Sequence, residues 1–262
     1  GKSFSMKEAI TFIALSTNDD IIMIDAEREY GELTRALQGA VLEISPSSPH
    51  HINPLDINRG YGAGENPIAM KSELMMSICE QQIGQLGAFH KSIIDRCTAN
   101  IYHDFIKSGG EGRIPTLPDW RNEVKRQPER EAQELALASE LFVEGSLNMF
   151  AHETNFDIDN RIVCFDLYEM GEQLKPTALN VVLETIQNRV AANRLAGKYT
   201  WVFVDEVYLF FKYHYSAQFL YKCWKRFRKY AAAMTAATQN IEECLRSETA
   251  RLMLANSEFL IL

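Results

Sequence analysis

Two adjacent acids, Asp205 and Glu206, close the stretch Thr200-Trp-Val-Phe-Val-Asp-Glu206. Paired carboxylates at the point where a buried strand leaves the core can divide two tasks. One can help hold a Mg²⁺ ion while its neighbour orients an attacking water for phosphoryl transfer. The plain alternative is a core strand running into a solvated turn. A second candidate is Gly1-Lys2-Ser3, which matches the last three residues of G-x-x-x-x-G-K-[ST] and precedes an apolar segment over 4–15. There, Lys2 could reach the β- and γ-phosphates of a nucleotide, Ser3 could ligate Mg²⁺, and a helix N-terminus would face the anion. A tripeptide of this kind also occurs by chance. Gln239-Asn240 is a third, a polar pair placed to sense a γ-phosphate or, more simply, to cap a helix through Asn240.

Two further sets carry charge. Asp25, Glu27 and Glu29 occupy the turn Asp25-Ala-Glu-Arg-Glu-Tyr30, where acids favour a helix dipole without any catalytic purpose. Lys222, Lys225, Arg226, Arg228 and Lys229 crowd one short segment. Such a face is usually just solvated. It could also offer an arginine to a neighbouring subunit's nucleotide, or cations to a nucleic-acid phosphate. His90 and His103 lack metal-ligand spacing and read as surface or satisfied histidines.

These groups need elements to hold them. Trp201–Val204, Ile21–Ile24, Ala40–Ile44, Arg161–Asp166 and Ala231–Thr238 read as strands, the first of them buried on both faces at the centre of a parallel sheet, and Glu258–Leu262 as a last, truncated one. Ala231–Thr238 is rich in small residues and predicts close packing among its neighbours. Helices are expected over 4–15, from Leu33 to a C-cap at Gly39, from Leu179 towards Gly197, around Leu220–Phe227 and over Ser247–Leu254. Strands alternating with helices, with polar residues at the strands' C-terminal ends, predict a doubly wound α/β sheet that binds ligand at that edge. The stretch 67–150 differs. Met75-Cys79-Ile83-Leu86 and Ile93-Cys97-Ile101-Phe105 repeat at helical spacing, and the pattern continues to Phe142. It predicts an all-α subdomain inserted between a first sheet segment, 1–66, and a second, 151–262, entered through a loop over 45–64.

Composition bounds the class. With 262 residues, 46% hydrophobic, the chain can bury one large core or two modest ones. A net charge of -8 argues against a generally basic nucleic-acid-binding surface. The five cysteines form no C-x-x-C pair and sit in apolar runs, as expected of buried thiols in a reducing compartment. No run is long enough for a membrane helix. The start at Gly1 and the end inside Phe259–Leu262 read as an internal fragment, its last strand cut short.

Taken together, Asp25-Ala-Glu-Arg-Glu-Tyr30, Phe142-Val-Glu-Gly-Ser-Leu-Asn-Met-Phe150, Val204-Asp-Glu206, Arg226-Phe-Arg-Lys229, Thr238-Gln-Asn240 and Asn256-Ser-Glu-Phe259 resemble the C-terminal motor domain of the VirB-four/TraC-type ATPases of conjugation and type IV secretion. The Gram-positive conjugative-element branch is nearest in character. The resemblance spans essentially the whole chain. It implies a RecA-like sheet of the HerA/FtsK branch with an inserted all-α subdomain, and ATP and Mg²⁺ as ligands. Gly1, Lys2 and Ser3 match the phosphate loop, Ser3 and Asp205 the Mg²⁺ side, Glu206 the catalytic carboxylate and Gln239 the γ-phosphate sensor. Arg226 and Arg228 match the arginine-rich helix, either being a candidate finger. The upstream strand and first residues of the phosphate loop are not in the sequence. The family further implies self-association, expected as a hexamer, at the inner face of the cell membrane. Its partners there would be other secretion components, including the coupling protein and inner-membrane channel subunits. A DNA-pumping relative of the coupling-protein type and a non-catalytic docking fragment are the alternatives.

Overall fold

The computed structural model describes residues 1–58, 61, 66–156, 160–172 and 174–259. Five strands, β1 (Asp20–Asp25), β2 (Ala40–Glu43), β3 (Ile162–Asp166), β4 (Thr200–Val204) and β5 (Ala232–Ala236), form one sheet in the order β2-β3-β1-β4-β5. Every pairing is parallel. Parallel strands are buried on both faces, which is why β1 and β3 tolerate runs such as Ile21–Ile24 without alternation. The register sets Asp25 opposite Asp166 and Ile24 opposite Val204, so Asp25, Asp166 and Asp205 all emerge at one edge.

β4 is an interior strand, paired on both sides, and β1 beside it is the middle of the five described. The small-residue strand β5 is outermost among the described strands, with Thr235 exposed and its flanking residues half-buried.

Helices cover both faces. α1 (Lys2–Ser16) and α2 (Gly31–Ala36) lie on one, where Met6, Ile10 and Ile13 pack on Ile21, Met23 and Phe203. Burying each such side chain contributes roughly 1.5–3 kcal/mol. Arg161, just before β3, donates to the carbonyls of Ala14, Thr17 and Asp19 and so closes the C-terminal end of α1. Gly39 is required where α2 returns to β2, because a Cβ there would stand 2.7 Å from the Ile162 carbonyl oxygen.

Between the sheet segments come α3 (Pro67–Ile83), α4 (Ala88–Ile101), α5 (His103–Lys107), α6 (Leu117–Lys125), α7 (Arg130–Ala138) and α8 (Glu140–Val143), then a helical turn Asn148–Phe150. Asn66 caps α3 by accepting from the N–H groups of Ile68 and Ala69. No strand arises from the described residues of 67–150. Their apolar stripes are core: Ile93 and Cys97 are buried, and Trp120 donates from its indole N–H to Thr98. That core is not separate. Leu74 and Ile78 of α3 share one cluster with Ile22 and Val204 of the sheet and with Leu183 and Leu220 on the helices that follow. Those are α9 (Lys175–Leu195) and α10 (His214–Lys229). Lys71 of α3 and Glu184 of α9 pair within this core, both essentially without solvent exposure.

Short helices α11 (Ile241–Arg246) and α12 (Glu248–Ala255) follow β5. The last strand expected over Glu258–Leu262 falls mostly on residues 260–262, outside the described residues, as does most of the Gly60–Gly64 loop. His90 pairs with Glu134 and His103 with Asp104, and the five cysteines are buried and free. Among the described residues no helix is long and apolar enough to cross a membrane.

Candidate functional site

The site begins at the exit of β4. Asp205 still follows the ladder, its N–H donating to the Ile24 carbonyl at 3.0 Å. In an extended strand the next side chain would point to the opposite face. Glu206 instead takes a left-handed conformation, φ 49° and ψ 50°. The reversal brings consecutive carboxylates to the same place, and both meet Lys2. Its Nζ donates to Asp205 Oδ1 at 3.2 Å and to Glu206 Oε1. Some 1–2 kcal/mol of backbone strain is the usual cost of this conformation for a residue with a Cβ. Strain of this kind concentrates at functional sites. The N–H of Val207 then donates to Ala237 at 2.9 Å and fixes the turn.

Lys2 is the first residue of α1, so its ammonium and the N-terminal end of that helix share one edge. Burial alone would lower the Lys2 pKa; the Glu206 and Asp205 carboxylates outweigh it and raise it. Burial pushes Asp205 up to about 6 against the pull of Lys2, with Glu206 and Glu29 adding to the rise. Asp205 Oδ2 is buried and has no hydrogen-bond partner. The Tyr30 hydroxyl, from the turn after β1, donates to Met6 Sδ of α1 at 3.5 Å.

Gln239 arrives from β5. Its backbone N–H donates to Glu206 Oε2 at 3.3 Å, while its side chain is exposed. Asn240 caps α11 by accepting from the Glu243 N–H, the simpler of the two roles expected for that pair. Asp25 likewise accepts from the N–H groups of Glu29 and Tyr30, at 3.0 and 2.8 Å. Glu29 and Tyr30 were not among the candidate site residues, although their turn was legible as an acidic strand end.

The two arginines stand elsewhere. α10 runs antiparallel to the strands and ends just before β5 begins. Its last turn therefore lies at the N-terminal edge of the sheet, about 16 Å of strand from the edge that holds Lys2. Arg226 and Arg228 cannot serve the site of their own chain. Arg226 is moreover buried against Gln187 of α9, which does not fit a side chain reaching across a subunit boundary; Arg228 is exposed.

The donors present suit Mg²⁺. Ser3 Oγ and the Asp205 carboxylate are hard oxygen ligands, and one Asp205 oxygen is unclaimed. Among the described residues no three His, Cys, Asp or Glu side chains cluster to hold a metal by themselves.

By class, this is an open parallel α/β sheet of the RecA-like kind, its charged groups gathered at the C-terminal ends of the strands. Neither a family model nor a curated protein sequence matches the chain. Solved structures do. VirB4 of Thermoanaerobacter pseudethanolicus superposes with a TM-score of 0.82 at 22% identity, over 98% of this chain and 72% of that one. The bacterial conjugative coupling protein TrwB, in a form containing sulphate, gives 0.60 at 12% identity, over 97% of this chain and 64% of its own. TrwB in complex with ADP and Mg²⁺ gives 0.59 at 12% identity, over 95% and 64%. At these identities the likenesses establish the fold.

Proposed function

We propose that this chain is the ATP-hydrolysing motor domain of a conjugative or type IV secretion machine. The observation that carries the reading is the meeting of Lys2 with Asp205 and Glu206, which joins residues 203 and 204 positions apart at the strand edge where such sheets take ligands. Lys2 leaves the two acids for the β- and γ-phosphates when ATP enters, with Gly1 and Ser3 at the helix N-terminus beside it. Ser3 and Asp205 would hold Mg²⁺, which would supply positive charge against the phosphates. Glu206, freed from Lys2, accepts the proton of the attacking water. Gln239, tied through its backbone to Glu206, reports whether the γ-phosphate is present. Arg228 acts on the neighbouring subunit's nucleotide. Its place at the far edge of the sheet supports an oligomeric ring, which we take to be a hexamer.

The likeness to VirB4 favours secretion, with coupling-protein and inner-membrane channel partners at the cytoplasmic face of the membrane. Residues 67–150 form the surface through which those partners dock. Because the insert shares the core of the sheet, it moves with the motor and not as a free lid. A DNA-pumping role is the second reading, favoured by the exposed cations Lys225, Arg228 and Lys229 and by the likeness to TrwB. ATP turnover by the whole protein, measured with and without DNA, decides. Turnover independent of DNA and lost in Glu206→Gln supports the first reading. Stimulation by DNA with a steep salt dependence supports the second. Absence of turnover leaves a docking module.

A further inference from the structure

α10, the helix that follows the Glu206 exit, lacks a start signal of its own. It opens Tyr213-His-Tyr-Ser216, with no side-chain cap at Tyr213 and no acid in its first turn. Ser, Thr, Asp or Asn ordinarily fills the capping place and accepts an N–H of the second or third helical residue. Here the acceptor comes from the insert. Glu80 of α3, 135 positions away and buried, takes the N–H of Tyr215 on its Oε2 at 2.7 Å. The next residue adds a second link. Ser216 donates to Asn180 Oδ1 of α9 at 2.9 Å, and Asn180 Nδ2 donates to Ser77 of α3 at 2.6 Å. Ser77, Asn180 and Ser216 are shut off from solvent. Buried polar links of this kind fix geometry, since a shift of either helix leaves a buried group unpaired. Only Tyr213 and a short helical segment, Val207–Lys212, separate Glu206 from α10. Within it the Leu209 N–H returns to the Glu206 carbonyl at 3.1 Å. Glu206 is therefore held between two anchors, the Val207 bond to Ala237 on the sheet and the first turn of α10, which the insert grips.

We infer that Glu80 is a positioning residue for Glu206. By capping α10 it fixes the segment that carries the carboxylate, and it makes turnover depend on how the insert sits on the motor. A partner that docks on the insert and displaces α3 withdraws the cap and misplaces Glu206. Misplacement by about 1 Å can cost on the order of 10²-fold in rate. The inference rests on the reading above, in which Glu206 accepts the proton of the attacking water.

The test uses the whole protein and reads ATP turnover and hydrogen exchange over 207–212. Glu80→Ala should lower kcat about tenfold or more and leave the KM for ATP within about twofold, because Lys2 and Ser3 are untouched. Glu80→Gln keeps the shape and an acceptor oxygen, and should restore most of the rate. Glu73→Ala is the control, since Glu73 also joins α3 to α10, through Lys222 in the second half of that helix. Its kcat should stay within about twofold of the unmodified protein. Exchange of the 207–212 amides should quicken about tenfold in Glu80→Ala and not in Glu73→Ala. Normal turnover in a folded Glu80→Ala overturns the inference. So does a glutamine variant as slow as the alanine one, or an equal loss in Glu73→Ala, which would report general loosening. If Glu80→Ala does not fold, Glu80→Asp, its carboxylate one methylene short of Tyr215, takes its place, and a normal rate there is equally fatal. Failure of the underlying reading looks different. The unmodified protein would then hydrolyse no ATP, or Glu206→Gln would turn over normally, and the inference would fall with it.

Discussion

Replacing Glu206 by glycine and, separately, by alanine divides the geometry of the β4 exit from the chemistry of its carboxylate. Both changes remove the contact with Lys2 and the acceptor for the Gln239 N–H. Each such part-buried interaction contributes about 0.5–1.5 kcal/mol, so both variants lose that stabilisation equally. They differ in the backbone. Alanine keeps a Cβ at φ 49°, with its strain of roughly 1–2 kcal/mol; glycine relieves the strain but adds freedom to the unfolded chain. The balance leaves glycine about 1 kcal/mol the more stable of the two, or about 2–4 °C in Tm for a domain of this size. Thermal unfolding followed by circular dichroism gives the comparison directly, and turnover should be lost by about 10²-fold or more in both. An alanine variant that melts at or above the glycine variant would show that residue 206 is not strained. The account of how two consecutive acids reach one lysine would then be wrong.

Other predictions concern charge. Arg226→Ala should lower stability by about 1–3 kcal/mol, because Gln187 loses a buried partner, whereas Arg228→Ala should leave the melting temperature within about 1 °C. If Arg228 acts across a subunit boundary, Arg228→Ala should abolish most turnover, and mixing it with Glu206→Gln should restore part of it; inactive mixed oligomers would exclude the trans role. Lys71→Met should cost about 3–5 kcal/mol in urea unfolding, since Glu184 is left charged and buried, and adding Glu184→Leu should recover much of the loss. No recovery in the double variant would mean that the pair is not isolated from its neighbours.

Much of the arrangement is legible before any coordinates. β1, β3 and β4 declare themselves because strands buried on both faces need uninterrupted apolar runs, and the acids that end them mark the edge. What cannot be read is order across the sheet. Nothing local in Trp201–Val204 says which of two neighbouring buried strands is the middle of the five described. Arg226 and Arg228 look equivalent in sequence. Helical phase separates them only once α10 has a partner in α9, turning Arg226 inward to Gln187. Left-handed backbone at Glu206 has no signal either, since glutamate is an uncommon choice there and the requirement comes from aiming two side chains at one point.

The position of β1 bears on how the chain is made. Its partners β3 and β4 lie more than a hundred residues downstream, beginning at Ile162 and Thr200. At the usual pace of translation, several seconds to some tens of seconds, roughly, separate the emergence of the centre strand from that of its second neighbour. Through that interval Ile21-Ile-Met-Ile24 lacks both strands it pairs with here, and α3 lacks the α9 face on which it packs. Pairings this distant also make for slow closure once the whole chain is free of the ribosome. A nascent chain therefore carries this strongly apolar strand without β3 and β4 through the synthesis of more than a hundred residues, a standing invitation to chaperones and, in their absence, to aggregation.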